Sequence, residues 1–215
     1  MTQLGGSPRT RVRRIPEKAV HDVEVLHAVL DAGLVAHVAV IDQGQPFVVP
    51  VGYARDGDTV LFHGSSKSRL FMALSSGAPT CFTVTLIDGL VLARSAFESS
   101  MHYRSVMALG HCTQLGGEEK ARALRVISDH LLPDRWHEIR EPSTQESKAT
   151  IVLALPLDEC SVKISNGPPD DVPSDVDRPV WAGVVPITER FGEPVDAPDL
   201  IAGTPVPDYV RTWTR

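Results

Sequence analysis

The sequence predicts a mainly β protein with helices, an antiparallel barrel with its helices packed outside. Three observations carry this. Short β-branched runs recur between residues 34 and 114 and again after 150, most of them joined by short Gly- or Asp-containing turns. Only two long stretches repeat apolar residues at three-and-four spacing. These helical stretches do not alternate with the strands as a parallel α/β sheet requires.

Residues 16–31 carry Val20, Val23, Leu26 and Leu30 on one helical face, and Gly33 stands where such a helix stops. The run LVAHVAVI at 34–41 is short and β-branched, a strand expected to be covered on both faces. Residues 42–45 turn the chain into a returning strand at 46–54. Pro50 inside that strand implies an edge, a bulge or a position needing no N–H partner. Asp56-Gly57 supplies a hairpin turn, 59–62 a strand, and 69–76 a short helix with Leu70, Ala73 and Leu74 inward. Two strands, 80–87 and 90–95, are expected around an Asp88-Gly89 turn, followed by a long strand at 101–114. A second amphipathic helix spans 118–132 through Ala121, Leu124, Ile127 and Leu131, and Pro133 ends it. Residues 151–155 and 160–165 read as the last core strands.

The chain divides into a basic N-terminal arm (1–20), a barrel domain (21–166) and a Pro-rich acidic tail (167–215) packing on the barrel. The tail holds nine of the 17 prolines, and only 180–186, VWAGVVP, has the apolar weight to dock, with Trp181 as an anchor or pocket wall. The arm has five cations against Glu17, a terminus read as loose or strapped on, its charge free to pair with the tail. A net charge of −6 argues against nucleic acid as the main partner. No apolar run approaches the roughly 20 residues of a membrane span, and the N-terminus lacks a secretory apolar region. Cys81, Cys112 and Cys160 are odd in number and sit in apolar segments, which fits buried thiols in a reducing cytoplasm.

Chemistry concentrates at residues 63–69, HGSSKSR, between a strand and a helix start. Backbone N–H groups there converge, and Lys67 and Arg69 add charge, so the loop favours an anion such as a phosphate. The alternative is a plain turn whose Ser66 or Ser68 caps the helix. Gly-x-Ser-x-Gly, Walker and Gly-x-Gly-x-x-Gly motifs are absent, and the histidines lack ligand spacing, so no metal site is expected. A phosphate loop without an acid–base or nucleophile set points to a phosphate-bearing cofactor that brings its own chemistry. Flavin mononucleotide suits the loop, with residues 49–53 available along the ring edge.

Residues 48–70 (VVPVGYARDGDTVLFHGSSKSRL), 100–112 (SMHYRSVMALGHC), 163–171 (KISNGPPDD) and 180–186 resemble the pyridoxamine 5′-phosphate oxidase-like flavin-binding split barrels, near the nitroimidazole reductases. The resemblance implies a six-stranded antiparallel split barrel, a homodimer and FMN at the subunit interface. Ser65, Lys67, Ser68 and Arg69 would meet the phosphate, with His63 and Gly64 in the same segment. Pro50, Val51 and Gly52 would lie along the ring, and Arg104 near the cofactor in the dimer. His63 and Tyr53 are the candidate proton donors, and catalytic residues are otherwise unassigned. Strand 48–53 lacks the Arg and Lys of the vitamin B6 oxidases, Leu70 replaces a further Lys, and Ser165 replaces an Arg, so vitamin B6 oxidation is not expected. Electron transfer through the flavin to a small organic substrate is the expected function. Alternatives are a haem- or deazaflavin-binding relative, with His37, His63, His102 or His111 as haem ligands, or a non-catalytic flavin-binding or regulatory module.

Overall fold

The fold is that of a computed structural model, which describes residues 4–214. The basic arm is strapped on. Leu4 is buried in the main core, Arg9 pairs with Glu159, and β1 (Ala19–Val20) zips onto a late strand. Its partner is thus the barrel and not the acidic tail.

The first helix, α1 (Val23–Ala32), starts later than its periodicity suggests. Asp22 caps it by accepting the Glu24 N–H at 2.8 Å, while Pro16–Lys18 make one 3-10 turn. A good cap overrides the longer apolar pattern. Val20, counted on the helical face, is a strand residue instead.

The wall follows as β2 (Val35–Asp42), β3 (Gln45–Asp56), β4 (Thr59–Ser65), α2 (Arg69–Ser75), β5 (Pro79–Leu92), β6 (Ser100–His111) and β7 (Thr113–Gln114). After α3 (Gly117–Leu131) and α4 (Thr144–Ala149) come β8 (Thr150–Pro156) and β9 (Cys160–Ser165). The tail adds β10 (Gly183–Pro186) and α5 (Asp208–Arg211). All pairings are antiparallel, in the order β1-β9-β6-β5-β2-β3-β4-β8-β7, with β10 on β5. Only Cys112 separates β6 from β7, so the strand beside β5 also reaches β8 and closes the ring. This is the antiparallel barrel the sequence predicts. Val38, Tyr53, Phe62, Leu70, Leu74 and Phe82 fill it, with Leu26 and Leu30 of α1 against them. On the outside, Ala123 and Ile127 of α3 pack on Ala54, Leu61 and Val152.

Asp88-Gly89 is not a turn. Residues 79–92 form one strand, with a bulge between Ile87 and Gly89. Gly89 serves close approach, since a Cβ there would stand 2.9 Å from the Val185 carbonyl oxygen of β10. The turn signal is therefore a seat for the tail, and a bulge that re-aims Asp88. The strand at 34–41 is covered on one face only: Val35 (49%), Ile41 (66%) and, beside them on β3, Val48 (55%) are exposed. Trp181 is 65% exposed and packs its ring on Gly183, so β10, not the tryptophan, anchors the tail. Helix α4 begins at a reciprocal Ser143/Glu146 capping box, a Ser-x-x-Glu signal that the hydrophobic pattern passes over. Among the described residues no helix is long and apolar enough to cross a membrane.

Candidate functional site

The wall opens at one seam. Strands β3 and β4 pair only from Tyr53/Phe62 to Asp56/Thr59; beyond that β3 continues along β2 and β4 along β8. Residues 50–52 and 63–65 therefore diverge from a common point. Behind the gap, Phe71 of α2 lies against Gly64, where any Cβ would overlap its ring. Gly64 thus has a packing reason to be glycine, whatever else meets it.

The predicted residues fall into three groups. Pro50, Gly52, His63 and Ser65 lie at the mouth of the gap, with Pro50 opposite His37. Val51 and Tyr53 point the other way, into the barrel. Tyr53 has no exposed surface, and its hydroxyl donates to the Leu30 carbonyl oxygen at 2.6 Å. As a proton donor to anything in the groove it is corrected: strand alternation turns it to the core.

At the loop, the Lys67 N–H donates to Ser65 Oγ at 3.2 Å. Ser68 stands at the N-cap of α2, its N–H donating to the Ser65 carbonyl, and its hydroxyl makes no cap bond. Among the described residues the Lys67 ammonium has no ion pair. Arg69 leans away, its Nε 3.4 Å from Asp42 and its guanidinium 4.0 Å above the Phe47 ring. Two hydroxyls and one uncommitted ammonium on a single tight loop suit a phosphate group.

Among the eight histidines, several are engaged. His102 donates to the Gly167 carbonyl, His111 to Gly77, His130 to Gly33 and His21 to Leu4, and His27 meets Asp58. Among the described residues His37, His63 and His137 have no such bond, and the first two are exposed at the gap. Surrounding protein lowers the His63 pKa by burial and favours neutral imidazole, although the residue keeps exposed surface. No group of three or more metal-ligating side chains occurs among the described residues.

Arg104 is not brought to the loop. Within one chain it opposes Leu86, whereas β5 meets β2 from Thr83, opposite His37, so Arg104 stands three residues or about 10 Å along the strand from the gap. Its guanidinium instead grips Asp88 through Nε (2.9 Å) and Nη2 (2.7 Å), which raises the Arg104 pKa and holds the Asp88 carboxyl below its ordinary range. The pair stands in the wall of a cavity of about 490 Å³ between the barrel end, the end of α3 and the tail. Ser165, where the family resemblance has an Arg, accepts from Lys18 Nζ at 2.9 Å.

A family profile described as pyridoxamine 5′-phosphate oxidase matches residues 22–164, from the cap of α1 to the end of β9. The chain belongs to the pyridoxamine 5′-phosphate oxidase-like split-barrel family. Among solved structures, a FAD- and haem-binding protein from Mycobacterium smegmatis is 41% identical, covering 92% of this chain and 97% of its own, with a TM-score of 0.88. The flavocytochrome Anf3 from Azotobacter vinelandii is 40% identical over 97% of each chain, with a TM-score of 0.91. A putative 5-nitroimidazole antibiotic resistance protein from Bacteroides thetaiotaomicron shares the fold (24% identity, 68% of this chain and 86% of that one, TM-score 0.58). No curated protein matches the chain significantly.

Within this split barrel, sequence reasoning missed Asp88, His130 and Phe71. The first was hidden by its turn-like dipeptide. The other two carry no local signal, because their partners Gly33 and Gly64 lie far away or behind the strand.

Proposed function

We propose that the protein is a homodimeric redox protein that binds a flavin, as FAD, together with haem. The observation that carries this is the 40% and 41% identity, over more than nine-tenths of the chain, to a flavocytochrome and to a FAD- and haem-binding protein. The chain's own residues fit. The Ser65, Lys67 and Ser68 groups would hold a flavin phosphate, and residues 50–52 would run along the ring. His37, whose ring makes no hydrogen bond among the described residues, stands amid exposed Val35, Ile41 and Val48 and offers a haem ligand on the apolar surface a porphyrin needs. His63 is the neighbouring second candidate. The same face, left open in one chain, would be closed by a second copy. When bound, the flavin supplies one- or two-electron transfer and the haem one-electron transfer. FMN, suggested by the phosphate loop, would use the same hydroxyls and ammonium. A reducing cytoplasm accords with three free thiols.

The test is the absorption spectrum of the protein as purified and after adding haem, with mass spectrometry of the released flavin. FAD and a Soret band that is lost in His37→Ala but kept in His111→Ala are expected, with a dimer by light scattering. FMN alone with no Soret band would return the protein to the simpler flavoprotein reading; no flavin at all would end both.

A further inference from the structure

We infer that the cavity between the barrel end and the tail is a binding slot for a neutral, flat aromatic molecule carrying a carbonyl acceptor. Its two sides differ in origin: Leu34, Leu86 and Leu131 belong to the barrel and α3, and Ile187 and Phe191 to the tail. Apolar walls facing each other at this volume suit a planar ring system.

The polar groups choose the rest. Arg104 spends Nε and one Nη2 hydrogen on Asp88, which leaves Nη1 without a partner among the described residues. Its hydrogens ask for an acceptor. The full charge, however, is already answered by Asp88, and the other aspartate on the wall, Asp31, is gripped by Arg55 at 2.6 and 2.8 Å. Among the described residues that line the cavity Arg104 is the one full cation and it is already paired with Asp88, so an anion finds no uncommitted cation among them. His130 donates Nε2–H to Gly33 at 2.8 Å, and in the neutral ring this leaves Nδ1 as an acceptor. A ligand with one carbonyl oxygen and one N–H or O–H therefore meets a donor and an acceptor fixed by their other bonds.

The bulge at Asp88 is what builds this wall, and the tail strand seated on Gly89 brings Ile187 over it: the Ile187 N–H donates to the Asp88 carbonyl at 3.0 Å. The slot also adjoins residues 50–52. Leu131 Cδ1 stands 3.1 Å, and the Leu34 carbonyl oxygen 4.0 Å, from where a Cβ on Gly52 would be. Resting on the flavin reading for its role, though not for its existence, the slot is where a small organic substrate would approach the ring.

The experiment titrates the full-length protein as purified, its flavin content recorded, with 2-quinolinone, a neutral aromatic lactam, and with quinoline-2-carboxylate, an anion of similar shape, by calorimetry. The lactam should bind and the carboxylate bind about tenfold or more weaker. Ile187→Trp, which fills the slot from the tail, should abolish lactam binding while flavin content stays unchanged. Arg104→Lys, which keeps a cation for Asp88 but loses Nη1, should weaken it about tenfold. Equal binding of the carboxylate, binding untouched by both variants, or release of flavin by the lactam would each overturn the slot. Lactam binding with these sensitivities in a protein that holds no flavin would keep the slot and remove the flavin reading; flavin without lactam binding would do the reverse. If Ile187→Trp does not fold, Arg104→Lys decides.

Discussion

The Tyr53 hydroxyl donates to the Leu30 carbonyl oxygen at 2.6 Å from a ring with no exposed surface, tying β3 to the last turn of α1. Phe82 packs edge-on against that ring at 5.2 Å. Tyr53→Phe leaves a buried carbonyl short of a donor and should cost about 1–2 kcal/mol in urea unfolding. Cofactor content should not change. A variant as stable as the parent but impaired in turnover would restore Tyr53 as a proton donor.

Gly64 and Phe71 share one space. Gly64→Ala forces the Phe71 ring aside and should destabilise by about 1–3 kcal/mol, as overpacking does. Combining it with Phe71→Leu should cost less than the sum of the two single changes. Additive costs would show that the two positions do not touch.

Arg104 beside Asp88, and Arg9 with Ser7 beside Glu159, hold two carboxyls below their ordinary values. A depressed carboxyl stabilises the fold above its unfolded value, near pH 4, and that stability is lost as pH falls through the folded value. Asp88→Asn should therefore flatten part of the acid limb of the stability curve below about pH 4 and leave its slope near pH 8 unchanged. Both pairs are at least partly exposed, so the effect should shrink in high salt.

Burial pushes the Cys112 and Cys160 thiols up to about 12, and raises Cys81 less. At pH 8 the native protein should react slowly with a thiol reagent, Cys81 leading, and release all three thiols at once in denaturant. Rapid native reaction at Cys160 would mean that β9 opens easily.

The lowered pKa of His63 carries its own expectation. Its imidazole should titrate below 6.5 by NMR, because burial disfavours the charged ring. Between the two values the unfolded chain binds more protons, so this group adds stability as pH rises toward its ordinary value of 6.5. His63→Gln should remove that contribution to the slope.

Much of the fold was legible because it is local. Short β-branched runs bounded by turns marked the strands, the apolar stripe of 118–132 marked α3, and Asp56-Gly57 marked its hairpin, each readable from residues a few places apart. The family motifs likewise placed the loop at residues 63–69 between a strand and a helix. What tertiary structure alone decided depends on residues distant in sequence. Asp88-Gly89 looks like any turn until β10, almost a hundred residues on, comes down beside it and makes it a bulge. Tyr53 looks like a ring-side donor until the pleat turns it toward Leu30, and Arg69 like a phosphate cation equal to Lys67 until it lies beside Asp42 and over Phe47, whereas Lys67 has no ion pair among the described residues. Sequence determined most of the elements of the barrel; the closing of the barrel and the docking of the tail decided where β5 runs on through Asp88-Gly89 and which polar groups remain available, since a side chain's charge and hydrogen bonds go to whatever packing brings within about 3 Å.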